Sequence, residues 1–147
     1  MTAAGIGDVV RALWETGARH DRPPEPTPEA DPWEDDDPYP TGGVVAVVLF
    51  AGRPSIAVRL ADDGRDVVTV EDVLNFDVPR RDTVAVVDEI LSGRVRLEGA
   101  GAGRLTVRSR LFGSASVAVH VADDRAYRVQ LPSFFWSSWV AALRIEP

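Results

Sequence analysis

The chain has no cysteine, no lysine, a single methionine and two histidines among its 147 residues. Without cysteine there is no disulfide framework and no thiolate metal site, so the fold has to rest on its hydrophobic core. Without lysine there is no amine for a Schiff base or a phosphate clamp, and all 16 basic residues are arginine, a bias that fits a GC-rich genome. Long apolar runs are missing as well. The longest, Val44 to Ala51, is far below the roughly 20 residues that span a bilayer, and "MTAAGIGDVVRALWE" at the N-terminus has no basic region ahead of an apolar stretch. The expectation is a soluble, cytoplasmic protein that meets no membrane. The length accommodates one domain with a proper core plus an appendage, and is short for two ordinary domains.

What the sequence has in excess is acid, in one place. Residues 23–40, "PPEPTPEADPWEDDDPYP", hold seven prolines, seven carboxylates and no basic residue. The formal net charge is −7, and removing these seven from the 23 carboxylates leaves 16 against 16 arginines, so the stretch accounts for the whole charge. A neutral remainder carries no broad positive field for phosphate backbones, which argues against direct nucleic-acid binding. Prolines without N–H groups and crowded carboxylates exclude a helix or a central strand here. The segment is an extended acidic arm, and as polyproline II it would reach roughly 56 Å.

Trp33 and Tyr39 interrupt the acid. A pure spacer gains nothing from such rings, whereas a docking arm uses them as anchors while Glu34, Asp35, Asp36 and Asp37 steer it toward a basic surface. The rings can settle on the chain's own domain or on a partner, and both remain open at this level. A cation site is the other use for these carboxylates. They lack the alternating D-x-D-x-D-G spacing of a calcium loop, and Pro38 does not supply its glycine turn, so solvation of the arm is the better reading.

Around the arm the periodicities are regular. Ile6, Val9, Val10, Leu13 and Trp14 recur at helical spacing, which predicts an amphipathic helix ending at Gly17, with a stripe that must pack on the main domain or on another protein. Val44 to Phe50 reads as a strand buried on both faces, joined through "AGRP" to the alternating Ile56, Val58 and Leu60. A short strand over 67–70 follows, then "VEDVLNF" as a helical turn, with Thr69 and Asp72 at capping-box spacing. "RRDTVAVVDEILSG" is the main helix, capped by Asp82, with Val84, Val87, Ile90 and Leu91 as its stripe, Val86 at the margin and Gly93 as the left-handed stop.

The C-terminal third is rich in short strands: "RVRLE", "RLTVRSRLF", "SVAVHV" and "AYRVQL". The tail "PSFFWSSWVAALRIEP" fits either a helix capped by Ser133 or a loop and then a strand from Trp139, with the strand slightly preferred. Phe134, Phe135, Trp136 and Trp139 concentrate aromatic area there, and Trp136 and Trp139 join the arm as partner-binding candidates. The organisation expected is a helix over 1–18, an acidic Pro-rich arm over 19–43 and a domain over 44–147. The fold class is α+β, an antiparallel meander with one main helix packed on it.

Catalytic candidates are few. His20 adjoins the arm, and His120 occupies the exposed phase of its strand, opposite Val117, Val119 and Val121. There is no GxSxG elbow. "GAGAG" at 99–103 leads into a strand where a nucleotide loop would open a helix, and so reads as a hairpin. No catalytic, cofactor or metal residue is assigned, and the expectation is a protein that is not an enzyme. A polar pocket around His120 or Asp72 would be the mark of one.

From "DTVAVVDEILSGRVRLEGAGAGRLTVRSRL" onward, over roughly residues 80–131, the succession of helix, Ser-Gly-Arg junction and basic-faced strands resembles small actinobacterial immunity-type proteins, which neutralise polymorphic toxins. The resemblance implies stoichiometric binding without catalysis, and carries over no functional residue. Joined to the arm's composition, it gives the first hypothesis, an immunity or antitoxin protein whose arm occludes a basic cleft on a toxin domain. Copies of the chain itself are the alternative partner, in a structural or assembly subunit of a phage or contractile-injection-type particle.

Overall fold

The computed structural model describes residues 5–25, 44–98, 115–122, 124–132 and 137–145. The elements run α1 (Ile6–Arg19), β1 (Val44–Phe50), β2 (Ile56–Ala61), β3 (Arg65–Val70), β4 (Leu74–Pro79), α2 (Arg80–Leu91), β5 (Val95–Glu98), β6 (Ser116–Ala122), β7 (Arg125–Gln130), α3 (Ser138–Ala142) and β8 (Arg144–Ile145). The fold is α+β. One sheet is an antiparallel meander, β1-β2-β3-β4. The other has the order β7-β6-β5-β8, antiparallel except where the short β8 lies parallel to β5. Among the described residues one apolar cluster draws on both sheets and the three helices, with α2 packed against β3, β4 and β6. The acidic arm from residue 26 to 43, "GAGAG" and "RLTVRSRLF" lie outside the described residues.

Alternation sorts the first sheet into two faces. Val48 and Phe50 of β1, Ile56, Val58 and Leu60 of β2, Val68 and Val70 of β3, and Leu74, Phe76 and Val78 of β4 form the buried one. The structure corrects the expectation that β1 is buried on both sides: Val45 is 55% exposed and Leu49 38%. β1 is an edge strand, and the register shifts between Val44 and Ala46, which leaves Val45 as the extra residue. "VEDVLNF" is also corrected, from a helical turn to a hairpin. Glu71 and Asp72 adopt φ of 53° and 62°, Val73 N–H returns to Val70 O at 3.3 Å, and Leu74 already pairs with Val70. Two consecutive left-handed residues match the right-handed twist of the strands they join.

Both long helices end in the same way. In α2 Gly93 stands at φ +78°, its N–H bonding Ile90 O and the N–H of Arg94 bonding Glu89 O, a Schellman stop at the residue expected for it. In α1 the left-handed position is taken by Asp21, at φ 57°, with its N–H on Ala18 O and that of Arg22 on Gly17 O. The helix therefore runs two residues past Gly17, which is buried and serves close packing. A Cβ there would lie 2.5 Å from Arg22 O and 2.9 Å from Pro24 Cδ. The stripe of α1 is used within the chain: Val9 and Leu13 enter the common core, and the helix packs on α2 and β1.

The buried face of α2 comprises Asp82, Thr83, Val86, Val87 and Ile90, with Val86 at its centre and Val84 and Leu91 only half-buried. Asp82 is not the cap. Pro79 holds that position as β4 runs straight into the helix, which puts Asp82 in the first turn facing inward. The tail resolves as α3, capped by Ser137, whose side chain accepts from Val140 N–H at 3.2 Å, and then as β8. The strand expected from Trp139 is thus confined to Arg144–Ile145, because Val140 and Leu143 enter the core at helical spacing.

At the junction of β3 and α2 sits a charged network. Asp66 is 0% exposed and accepts from Arg80 Nη2 at 2.8 Å, Arg80 Nε at 3.2 Å, Thr83 Oγ1 at 2.7 Å and Ala61 N–H at 3.2 Å. Arg80 Nη2 also donates to Ala61 O. Removing one member of such a pair leaves the other charge buried without compensation, so Asp66→Ala is expected to lower unfolding stability by about 3–5 kcal/mol in urea titration. Gly17→Ala separates two effects of opposite sign. Helix propensity favours alanine by about 1 kcal/mol, but the contact with Arg22 O favours glycine, and a net loss of about 1–3 kcal/mol is expected by the same titration.

Candidate functional site

The acidic segment is rooted in the described structure at both ends. Ahead of it, Arg22 Nη2 donates to Ala51 O at 2.5 Å and to Pro54 O at 2.6 Å, across the connection between β1 and β2. Burial pulls this guanidinium below its ordinary value, against a smaller opposing effect of Glu71. Gly52, at φ +106°, leaves the room: a Cβ there would lie 3.0 Å from Arg22 Nη2. Pro24 is buried, and Glu25 N–H bonds Leu49 O at 2.7 Å, forming an isolated antiparallel bridge with the edge strand β1. The segment is followed by β1, which begins at Val44.

Of the partner-binding residues predicted from sequence, Trp33, Glu34, Asp35, Asp36, Asp37, Tyr39 and Trp136 lie outside the described residues. Trp139 is placed on α3, half-buried and packed against the core. The exposed large apolar side chains among the described residues are Trp14, Val45, Leu49 and Val73, and two of these lie on the strand that roots the arm.

A second feature was not anticipated as a unit. A cleft of about 560 Å³ opens where the end of α2 meets β5 and β6, walled by Glu89, Arg94, Arg96 and His120 over Val95 and Val121. It surrounds His120, one of the two positions at which sequence reading looked for a polar pocket, and it is open to solvent. The register explains the convergence. Val95 pairs with Val119, so Arg94 and His120 stand one step beyond that pair, and Arg96 lies opposite Ala118, itself opposite Arg128.

The cleft's polar side chains are held in place. Glu89 accepts from Arg94 Nε at 2.9 Å and Nη2 at 2.8 Å. Glu98 accepts from Arg128 Nε at 2.6 Å and meets His120 Nε2 at 3.3 Å. The Arg128 contact, aided by His120 and opposed by burial, brings the Glu98 carboxyl below its ordinary value. His20 ties α1 to α2 through Asp88 Oδ1 at 2.8 Å, and Arg19 and Arg94 approach the same carboxylate at 3.7 Å.

Asp82 is the other held acid. It is 2% exposed and receives Arg125 Nε at 3.0 Å, Arg125 Nη2 at 2.9 Å and the Tyr127 hydroxyl at 2.5 Å, which fastens the start of α2 to β7. Burial alone would raise its carboxyl, but Tyr127 and Arg125 outweigh it and the net shift is downward. The Tyr127 hydroxyl moves up, through burial and its bond to that carboxylate. Among the described residues no group of three or more His, Asp or Glu is placed to hold a metal ion, and no helix is long and apolar enough to cross a membrane.

No protein-family model, curated protein or solved structure matches the chain.

The two lowered carboxyls set the sign of the acid response. In the native state Asp82 and Glu98 hold their charge to lower pH than in the unfolded chain, so the unfolded state binds more protons as pH falls. Stability is expected to be level from neutral to about pH 5 and to decline below about pH 4, as the folded-state values are crossed. Asp82→Asn and Glu98→Gln should each flatten this decline in urea titrations repeated across the acid range. An unchanged slope in both would show that these contacts do not set it.

Proposed function

We propose that the protein is a non-catalytic protein-binding module of immunity or antitoxin type, which presents its acidic segment to a basic cleft on a partner. The observation that carries this reading is the rooting of that segment at both ends on one strand. Glu25 pairs with Leu49, and Val44 lies five residues away on β1, a separation of about 17 Å at roughly 3.4 Å per residue. The 18 residues between them hold six carboxylates, Trp33 and Tyr39, and no basic residue. A binding loop carried by a sheet edge, with its entry clamped by Arg22, is a common way for a fold to present a recognition element. Closure also shortens the reach, to about 30 Å from β1 at roughly 3.5 Å per residue, where a free polyproline arm of this length would reach roughly 56 Å.

Carboxylates on such a loop accelerate encounter with a positive surface, and the rings supply contacts that persist once water is excluded. Self-assembly is the second reading, supported by Val45 and Leu49, which are exposed beside the roots.

Replacing residues 26–43 by a Gly/Ser linker of equal length leaves both roots in place. The intact protein, recovered from its native host, is expected to carry a basic protein at one-to-one stoichiometry by light scattering. That complex should weaken as ionic strength rises above roughly 0.15 M, and the replaced form should not make it. A partner retained equally by the replaced form would overturn the role of the loop, and a discrete homo-oligomer of the pure protein would favour assembly.

A further inference from the structure

We propose that the outer edge of β1 is a strand-docking site filled by the chain itself. Residues 24–28, "PEPTP", are its occupant, an added antiparallel strand, and the acidic loop begins only at Glu29. The register is set by the two described residues of this stretch. Glu25 N–H bonds Leu49 O at 2.7 Å, and the two form an antiparallel bridge. One step back, that register puts Pro24 opposite Phe50, and both converge on Gly17: a Cβ built there would lie 2.9 Å from Pro24 Cδ and 3.0 Å from Phe50 Cε1. Pro24 is buried, as Phe50 is, and Glu25 is exposed, as Leu49 is, so the side chains already alternate as in a strand.

Carried forward, the same register sets Pro26 opposite Val48, Thr27 opposite Val47 and Pro28 opposite Ala46. Antiparallel pairs alternate between bonded and open. With Glu25 and Leu49 bonded, the next bonded pair is Thr27 with Val47, and Thr27 has the N–H that this pair needs. The prolines fall where the backbone nitrogen faces away from β1, the position that admits proline to an edge strand. A slip of one residue would turn every proline nitrogen toward β1 and lose the bonds on that side. The alternation of proline with Glu25 and Thr27 is also the period of a strand with one side on a core. The bulge at Val45 ends the regular edge, and the ladder stops with it at Pro28.

Strand addition by another chain requires backbone donors as well as acceptors along the edge. The rim of the added strand presents proline at 24, 26 and 28 and therefore no N–H, which closes this side of the sheet to a second copy. The loop changes shape too. All six carboxylates of residues 26–43 lie beyond Pro28, in a loop over 29–43 that starts opposite Ala46 and ends at Val44. Its ends are then two positions apart along the edge, not the five between Val44 and Leu49, and its charge is gathered at one end of β1. The pairing holds whatever partner that loop meets.

The test is amide hydrogen exchange, followed by nuclear magnetic resonance in the full-length protein. Glu25 is the paired reference and Glu34, within the acidic loop, the open one. The Thr27 amide is expected to be protected by about tenfold or more over that of Glu34, by the same factor at every protein concentration. Exchange at Thr27 as fast as at Glu34 would overturn the proposal. Protection that grows with concentration would overturn it in favour of a second copy, and an open Thr27 beside a protected Val47 in favour of a different occupant. Thr27→Pro deletes the donor at unchanged charge and is expected to lower the protection of Glu25 by about fivefold, whereas Thr27→Ala keeps the donor and the protection. Equal effects of the two substitutions would count against the backbone bond. None of these readouts uses a partner, so failure here leaves the binding role of the acidic loop to its own test.

Discussion

The charged contact between Asp66 and Arg80 governs how the two halves of the structure meet. Asp66 sits in the inward phase of β3, with Val68 and Val70 on the same face, and its oxygens are taken up by Arg80, Thr83 and the Ala61 amide. Those partners belong to the end of β2 and the first turn of α2, so one carboxylate fixes the angle at which the helix leaves β4. Everything carried by α2 then follows: its apolar face against β3, β4 and β6, its Asp82 against β7, and its C-terminal turn against β5 and β6. A buried pair of this kind is weak support for stability, since desolvation cancels much of the attraction, but it tolerates few alternative arrangements. Here it serves as a register mark between a meander and a helix.

Much of this was written plainly in the sequence. The alternation of Ile56, Val58 and Leu60, the stop at Gly93 and the turn at "AGRP" all lie where pattern places them. Two of the misreadings share a cause, which is that local chemistry outweighed the wider pattern. "VEDVLNF" has Leu74, Phe76 and Val78 at strict alternation, yet the Thr69 and Asp72 spacing read as a cap. Gly17 read as a terminus because glycine ends helices, whereas what it provides is room for the chain to turn back across α1.

The candidate sites were less legible, for a different reason. The acidic segment announces itself through composition, but its roots depend on Arg22 reaching two carbonyls some thirty positions away, and no local pattern encodes that. The cleft is built from Arg94, Arg96 and His120, ordinary surface residues until the pairing of β5 with β6 brings them together. One signal was available. An aspartate in the core phase of "RDVVTV" and another on the inner face of the main helix both demand arginine partners, and the chain supplies them in Arg80 and Arg125.

The bridge between Glu25 and Leu49 has a further consequence, for colloidal behaviour. β1 reads "VVAVVLF", seven uncharged residues of high strand propensity at the rim of a sheet, the composition of a segment that recruits copies of itself into cross-β stacks. The chain lays its own backbone against that rim and follows it with a stretch of uncompensated carboxylates. Charge placed beside an apolar edge opposes such stacking. A chain shortened to begin at Val44 would lose that bridge and the charge together, which favours association through the apolar edge.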